Sequence, residues 1–354
     1  MGKPRSRPSI RHPTRRLPRL GARMAIGLLG AMSLCVGVAG AWFTYTDLSR
    51  TRREIMSPQA LAHGQGRWVQ AADADIYLQE WGDPKRPTLL LTHGTGAWSG
   101  TWFGLPGALA AAGWHVVAID LPPFGLSMTT EGRRVDYSRA AQARRVLGVI
   151  DTLDAPVTLV GHSFGAGPAL EAAMHAGTRL RQLVLVDPAL GLGADGSPPR
   201  CTSDDASGPW LRPRGARTAL VAATATWPGF TPTMLKQFVY RKDAVTDTLV
   251  QPYQVPFARQ GFSAGLGDWA TAFANASCEG VDSLDPRKLR AWAASGPSVA
   301  LIWGERDSIT PIAQARALQS WMPSATLATL PDVGHIPHIE SPSAFAATLI
   351  RQLR

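Results

Sequence analysis

The chain has 354 residues, of which 45% are hydrophobic and 18% are charged. This composition can bury a full core and excludes a disordered or fibrous protein. The net charge of +10 comes from an N-terminal tail, because eight of the 36 basic residues precede the first acidic residue, Asp47. The other 28 nearly balance 26 acidic residues, so we expect no nucleic-acid-binding groove in the folded part. The three cysteines lack paired CxxC spacing, and we expect neither a metal nor a cofactor.

The N-terminal region contains a candidate membrane segment. Residues 24–43 carry no charge, and a helix rising about 1.5 Å per residue would let them cross a hydrocarbon core of roughly 30 Å. The positive-inside rule keeps the basic tail, residues 1–23, in the cytoplasm. We therefore expect a membrane anchor, a linker at 44–66 and a domain outside the cytoplasm, either periplasmic or extracellular. The small residues at 39–41 also permit a cleaved signal peptide, which would release a secreted protein.

Residues 67–354 alternate short apolar runs with helical stretches, which predicts an α/β domain with a mostly parallel sheet and helices on both faces. The pattern lapses over about 190–286, where proline, glycine and aromatic residues interrupt it. One sheet domain with a long insertion explains this better than two domains, because neither half has enough strands to close a core. Strands are expected at 76–81, 88–92, 115–119, 157–160, 182–186, 299–303 and 326–330, and helices at 101–112, 138–153, 164–176, 311–321 and 342–353.

The segment Gly161-His162-Ser163-Phe164-Gly165 follows a predicted strand and opens a predicted helix, which is the setting of a nucleophile elbow. A serine on so sharp a turn takes unfavourable backbone angles, so its neighbours must be small. Gly161 and Gly165 meet that need. Ser163 is therefore the candidate nucleophile, and the alternative is an ordinary serine at a helix N-cap.

A serine nucleophile needs a base to take its proton and an acid to hold the tautomer of that base. Asp307 and His335 each follow a predicted strand, at the edge where parallel sheets place their ligands. The chain order Ser, Asp, His is that of one hydrolase architecture. Alternatives remain for both roles: Asp187 and Asp332 for the acid, and His162 and His338 for the base.

Together with residues 92–96 and 120–127, these motifs resemble the α/β-hydrolase fold family, which includes esterases, haloperoxidase-like enzymes and ring-cleavage hydrolases. The resemblance covers about 68–354 and departs at Pro123, where the family usually has glycine. It implies a helical lid, inserted after the sixth strand, over the active site. It also implies an oxyanion hole formed by the backbone N–H groups of Thr95 and Phe164. His93 and Gly94, like Gly161 and Gly165, would have structural roles near the site.

The serine at the elbow narrows the expected reaction. Similar dehalogenases and epoxide hydrolases use an aspartate there, so we expect hydrolysis of a carboxylic ester through an acyl-enzyme. Cleavage of a carbon–carbon bond, a lactone or an amide by the same residues stays open. So do a non-catalytic binding module of the same fold and a protein whose basic tail tethers nucleic acid or anionic lipid. Aromatic residues in the lid favour a small-molecule substrate with an apolar acyl or aryl group, and the alternative is that most of these rings only form the core of the lid.

Two cysteines bracket most of the lid. Cys201 and Cys278 would face an oxidising compartment if the domain lies outside the cytoplasm, and we predict a disulfide between them. It would close a loop of about 77 residues and restrict the unfolded chain by roughly 4–5 kcal/mol. Cys35 lies in the membrane segment and should stay free. The alternative is two unpaired cysteines, because spacing alone cannot bring two Cα atoms within the roughly 4.4–6.8 Å that a disulfide needs.

Overall fold

The computed structural model describes residues 19–129, 135–154, 156–199, 211–274, 278 and 280–353. The chain forms two units, Met1–Tyr45 and the compact Thr46–Arg354.

The first long helix, α1 (Arg19–Arg53), contains the predicted apolar segment. Its part Leu28–Arg53 is long and apolar enough to cross a membrane, and an 18-residue window within it has a mean hydropathy of 1.5. This fits a membrane anchor or a signal sequence. The helix continues past residue 43 because no proline or glycine interrupts it there, and Arg50 pairs with Asp47 at 2.8 Å on its last turns.

Within the described residues, the domain is built on a nine-stranded sheet. Its strands are β1 (Arg67–Ala71), β2 (Ala74–Trp81), β3 (Thr88–Thr92), β4 (His115–Ile119), β5 (Met128–Thr129), β6 (Val157–His162), β7 (Leu180–Val186), β8 (Ser298–Gly304) and β9 (Thr326–Leu330). β1 pairs antiparallel with β2, β2 with β4, and β5 with β2. The other pairs are parallel, so the predicted mostly parallel sheet is confirmed. Strands β1 and β5, which the sequence analysis does not predict, lie beside the antiparallel strand β2. The spatial order of the strands is β1-β2-β4-β3-β6-β7-β8-β9, with β5 on β2.

Helices follow the strands along the chain, close to the predicted bounds. The helix expected at 101–112 begins late, because a 3₁₀ turn (Ser99–Trp102) precedes it and Gly104 is its N-cap. The remaining helices are α2 (Pro58–Ala62), α3 (Leu105–Ala111), α4 (Arg139–Asp151), α5 (Ala166–His175), α6 (Arg214–Ala223), α7 (Thr231–Phe238), α8 (Asp247–Gln254), α9 (Phe262–Ala274), α10 (Pro286–Ser295), α11 (Ala313–Trp321), α12 (Pro337–Glu340) and α13 (Pro342–Gln352).

The core lies on both faces of the sheet. All five residues of β3 are buried, and successive side chains of a strand point to opposite faces. Leu89 and Leu91 join one apolar cluster with residues of α3 and α13, whereas Leu90 joins another with residues of α4 and α5. Burial on both faces explains why the central strands are continuous apolar runs.

The insertion of 190–286 follows β7 and contains the helices α6 to α9. Strand β7 is the sixth strand when the two-residue β5 is left out, so the insertion lies where it was expected. We call residues 190–286 the lid.

The segment expected to be a linker, 44–66, is folded in part and bonded to the lid. Met56 donates its N–H to Ala258 O at 3.0 Å and accepts the N–H of Gln260 at 3.0 Å. The Glu54 carboxylate accepts both the N–H, at 3.1 Å, and the hydroxyl of Ser263. The chain therefore joins the domain before residue 67, through bonds to residues about 200 positions away that no local pattern indicates.

The cysteines are only partly described. Cys35 is free and exposed, and Cys278 is disulfide-bonded. Cys201, its predicted partner, lies outside the described residues, so the pairing stays a prediction.

Candidate active site

The turn between β6 and α5 carries Ser163. Its φ is +50°, in the left-handed region that costs energy for a residue with a Cβ. The two glycines let the chain make this turn. A Cβ at Gly161 would lie 2.7 Å from Ala166 Cα, and one at Gly165 would lie 2.8 Å from Thr92 O. Both positions therefore exclude larger residues, as the sequence motif predicts.

Ser163, His335 and Asp307 are joined by hydrogen bonds and are all buried. Ser163 Oγ lies 2.7 Å from His335 Nε2, and His335 Nδ1 lies 2.7 Å from Asp307 Oδ2. When Nδ1–H donates to the carboxylate, Nε2 is free to accept the serine hydroxyl. The structure thus brings together three residues that are separated by up to 172 positions in the chain.

The Asp307 carboxylate is held by the loop that follows β8. Oδ1 accepts the N–H groups of Ile309 at 2.7 Å and Thr310 at 2.9 Å, and Oδ2 accepts the Thr310 hydroxyl at 2.5 Å. Burial raises the pKa of Asp307, but the hydrogen bonds from His335 and Thr310 outweigh it, so the net pKa is lowered. Asp307 is therefore ionised and oriented towards the imidazole at neutral pH.

The rival acids lie elsewhere. Asp187 is fully buried at the end of β7, where its Oδ1 accepts the N–H of Gly304 at 2.8 Å. Burial, followed by the nearby charge of Asp307, raises its pKa well above the usual range. Asp332 pairs with Arg306 at 3.4 Å on the surface. Of the three carboxylates, it is Asp307 that bonds His335 Nδ1.

The rival bases are buried and neutral. His162 Nε2 lies 2.8 Å from the carbonyl oxygen of His335, and burial lowers the pKa of His162 to about 3. His338 packs against Trp102, with ring centroids 4.8 Å apart, and burial lowers its pKa well below the usual value. His162 therefore tethers the loop that carries His335, and His338 is a packing residue.

The loop after β3 lies against the elbow. His93 Nε2 accepts the N–H of Leu121 at 2.9 Å, and its Nδ1 lies 2.8 Å from Gly94 O. Burial lowers the pKa of His93 to about 4, so it is a neutral structural residue. Its bond to Leu121 holds this loop to the segment that follows β4. A Cβ on Gly94 would lie 3.2 Å from Ser163 Cβ. The loop can approach the nucleophile this closely because residue 94 is glycine.

The two residues expected to form the oxyanion hole flank Ser163. Thr95 lines the cavity beside Ser163, and Phe164 follows it directly in the chain. The Phe164 ring is fixed by contacts with Phe124 at 5.5 Å and Trp269 at 5.3 Å, measured between ring centroids. The use of their N–H groups to bind an oxyanion stays a prediction.

Glu340 in α12 is a site residue that the sequence analysis missed. Its buried carboxylate accepts the backbone N–H groups of Gly334 at 3.0 Å and Ile336 at 3.3 Å, on either side of His335. It also accepts those of Tyr240 at 2.8 Å and Arg241 at 3.0 Å, in the lid. Glu340 therefore clamps the His335 loop to the lid. The available signal was the acidic residue five positions after the histidine.

An apolar cavity of about 180 Å³ opens onto Ser163 and His335. Its other walls come mainly from aliphatic and aromatic side chains of the lid. None of the described residues that line it is Lys, Arg, Asp or Glu. Lid residues on its walls include Met234, Leu235, Phe238, Phe257, Phe262 and Trp269.

Residues 87–342 match the family model described as alpha/beta hydrolase fold. A 2-hydroxymuconate semialdehyde hydrolase from Pseudomonas putida is 28% identical over 79% of this chain and 91% of its own length. A pimeloyl-acyl-carrier-protein methyl ester esterase from Nitrosomonas europaea is 27% identical over 77% of this chain and 98% of its own. Among solved structures, an esterase from Exiguobacterium antarcticum has a TM-score of 0.62 at 19% identity, over 81% of this chain and 98% of that one.

Proposed function

Because this chain belongs to the α/β-hydrolase fold family, we propose that it is a serine hydrolase that cleaves a carboxylic ester with an apolar acyl group. The family match and the relatives confirm the predicted fold class and the prediction that the chain is a hydrolase. The proposal goes further, to the serine mechanism and the substrate class. One observation carries it: Ser163, His335 and Asp307 form one hydrogen-bonded chain that faces an apolar cavity.

In the proposed mechanism, His335 Nε2 takes the hydroxyl proton as Ser163 Oγ attacks the ester carbonyl carbon. Asp307 stabilises the imidazolium, and the N–H groups of Thr95 and Phe164 bind the oxyanion. The C–O bond to the alcohol then breaks, and the imidazolium gives its proton to the leaving alkoxide. Water, deprotonated by His335, attacks the acyl-enzyme and releases the carboxylic acid with free Ser163.

The cavity favours a neutral acyl group. A charged substrate would need a compensating charge there, because burying an unpaired carboxylate is costly. The described lining offers no lysine or arginine for that purpose. Carbon–carbon bond hydrolysis is the second candidate, because a 28% identical relative is named as a 2-hydroxymuconate semialdehyde hydrolase. A muconate derivative carries a carboxylate, so the apolar lining ranks this candidate below the ester.

The mechanism is tested with an activated aryl ester and with a fluorophosphonate, which labels an activated serine. Ser163→Ala should abolish labelling and reduce turnover by about 10⁶-fold, and His335→Ala should do about the same. Asp307→Asn should cost about 10³–10⁴-fold, because it favours the wrong imidazole tautomer. Ser320→Ala, an exposed serine in α11, should be labelled like the wild type. Retained turnover in Ser163→Ala would refute the mechanism, and unlabelled wild-type protein would favour the non-catalytic binding module.

The substrate class is tested with paired 4-nitrophenyl esters of equal chain length. One member ends in a methyl group and the other in a free carboxylate. We expect kcat/KM to favour the neutral ester by at least about 10²-fold, since the carboxylate would enter the cavity without a partner. Equal kcat/KM values would contradict the assignment of a neutral acyl group but would leave the proposed mechanism unaffected. Turnover of a ring-cleavage dienoate above that of the ester would favour the second candidate.

We also propose that α1 anchors the enzyme, with the basic tail in the cytoplasm and the domain outside it. Two features support this: the apolar helix itself and the disulfide-bonded Cys278, since disulfides persist in oxidising compartments. A reporter fused after Arg354 should be active only outside the cytoplasm, and extraction should need detergent. A soluble protein that begins near Trp42 would establish the cleaved signal peptide instead.

A further inference from the structure

A second carboxyl group, Asp187, lies behind the proposed triad and has no role in the mechanism above. It follows β7, is fully buried, and has a φ of +43°. Its Oδ1 accepts the N–H of Gly304, the last residue of the neighbouring strand β8, at 2.8 Å. Within the part of the chain that the structure describes, no N–H or O–H group donates to its Oδ2. Burying an ionised oxygen that accepts no hydrogen bond costs free energy, so the protonated form of this carboxyl group is favoured.

The neighbours of Asp187 determine which of two carboxyl groups, Asp187 or Asp307, holds a proton. Asp307 lies on the turn that follows Gly304, whose carbonyl oxygen accepts the Asp307 N–H at 3.2 Å. The side chain of Asp307 and the charge of Glu340 both raise the pKa of Asp187. Two adjacent carboxyl groups cannot both ionise in a buried site without a large penalty. Asp307 accepts N–H and O–H groups from Ile309, Thr310 and His335, whereas Asp187 accepts one backbone N–H. The negative charge therefore belongs on Asp307 and the proton on Asp187.

We propose that Asp187 is a neutral carboxylic acid that donates a hydrogen bond from Oδ2 to the Asp307 carboxylate, and so acts as a positioning residue for the proposed reaction. It links the ends of β7 and β8 through Gly304 and holds Asp307 towards His335. Because Asp187 stays neutral, a single negative charge faces the imidazolium. The inference rests on the proposed function for its effect on the reaction, but the protonation of Asp187 can be measured independently.

Infrared difference spectroscopy of the intact protein at neutral pH tests the protonation state directly. Wild type minus Asp187→Asn should show the C=O stretch of a protonated carboxyl group, which the variant lacks. Loss of a carboxylate stretch instead would overturn the proposal. This readout does not depend on turnover, so it stands even if Ser163→Ala retains activity and the proposed mechanism fails.

The second test is the pH profile of fluorophosphonate labelling. Asparagine keeps an N–H donor for Asp307 and a C=O for Gly304, and it tolerates a positive φ. Asp187→Asn should therefore label within about threefold of the wild-type rate, with an unshifted acidic limb, whereas Asp307→Asn should lose about 10³-fold or more. Asp187→Gly removes the donor at a φ that suits glycine. Without that donor Asp307 binds the imidazolium more strongly, so the acidic limb should move to higher pH.

The direction in which the acidic limb of the pH profile shifts distinguishes a neutral Asp187 from an ionised one. If Asp187 were ionised, both variants would remove a negative charge near His335 and move the acidic limb to lower pH, which would overturn the proposal. A lower melting temperature in Asp187→Gly with an unshifted limb would indicate a merely structural role and would also overturn it. Should Asp187→Gly fail to fold, the spectrum and the labelling of Asp187→Asn still decide between a neutral and an ionised group.

Discussion

The substitution Glu340→Gln tests whether the clamp on the His335 loop depends on a carboxylate. In the wild type, Oε2 accepts the N–H groups of Tyr240 and Arg241, while Oε1 accepts those of Gly334 and Ile336. A carboxamide has one oxygen, so in either orientation its NH₂ group faces two backbone donors. Hydrogen bonds to charged groups are worth about 1.5–3 kcal/mol each, and losses at one site are not additive. We expect a loss of about 2–4 kcal/mol in the free energy of unfolding.

The assay is urea denaturation of the detergent-purified chain, with ester turnover measured alongside. Since the clamp holds the loop that carries His335, kcat should fall with little change in KM. Glu305→Gln is the matched control: it makes the same chemical change at an exposed carboxylate that accepts the Thr329 hydroxyl, and it should cost less than about 0.5 kcal/mol. A Glu340→Gln variant as stable and active as that control would refute the account of the clamp.

Two further substitutions test the packing around the elbow and the segment after α1. Gly165→Ala should prevent folding of the elbow or abolish activity, because the added Cβ would overlap the carbonyl oxygens of Thr92 and His93. The control is Gly107→Ala in α3, where the added Cβ meets nothing within 4 Å, and this variant should be stable. An active Gly165→Ala variant would contradict this. Burial raises the pKa of Glu54, so folding favours its protonated form, and the free energy of unfolding should fall as pH rises through that raised pKa. Glu54→Gln should remove this fall, which begins above the ordinary pKa of a glutamate, in urea titrations, and an unchanged pH dependence would count against it.

Much of the domain is predictable from sequence because its central strands are buried on both faces. Such strands must be continuous apolar runs, and turn residues mark where each one ends. The elbow is equally local, since the same five residues contain the strained serine and the glycines that permit the strain. The family match over residues 87–342 confirms the fold class and the hydrolase class inferred from these patterns.

The missed features are those made by contacts between distant residues. Strand β1 is half-exposed and is defined by its pairing with β2, so its own apolar pattern is weak. The segment expected to be a free linker is bonded to the lid through Glu54 and Met56, whose partners lie more than 200 positions along the chain. A local window contains neither partner, so composition alone made this segment look like a connector.

The candidate site shows the same division between sequence and tertiary structure. The residues Ser163, Asp307 and His335 follow from motif and chain order, because a nucleophile needs a base and an acid at the carboxyl ends of parallel strands. The sequence favoured Asp307 but left Asp187 as an alternative, since both follow a buried strand. Only the fold decided which of them meets the imidazole and which is fully buried against a backbone N–H. The physical reason is that the protonation and function of a carboxyl group depend on its burial and on the donors around it, which tertiary packing supplies.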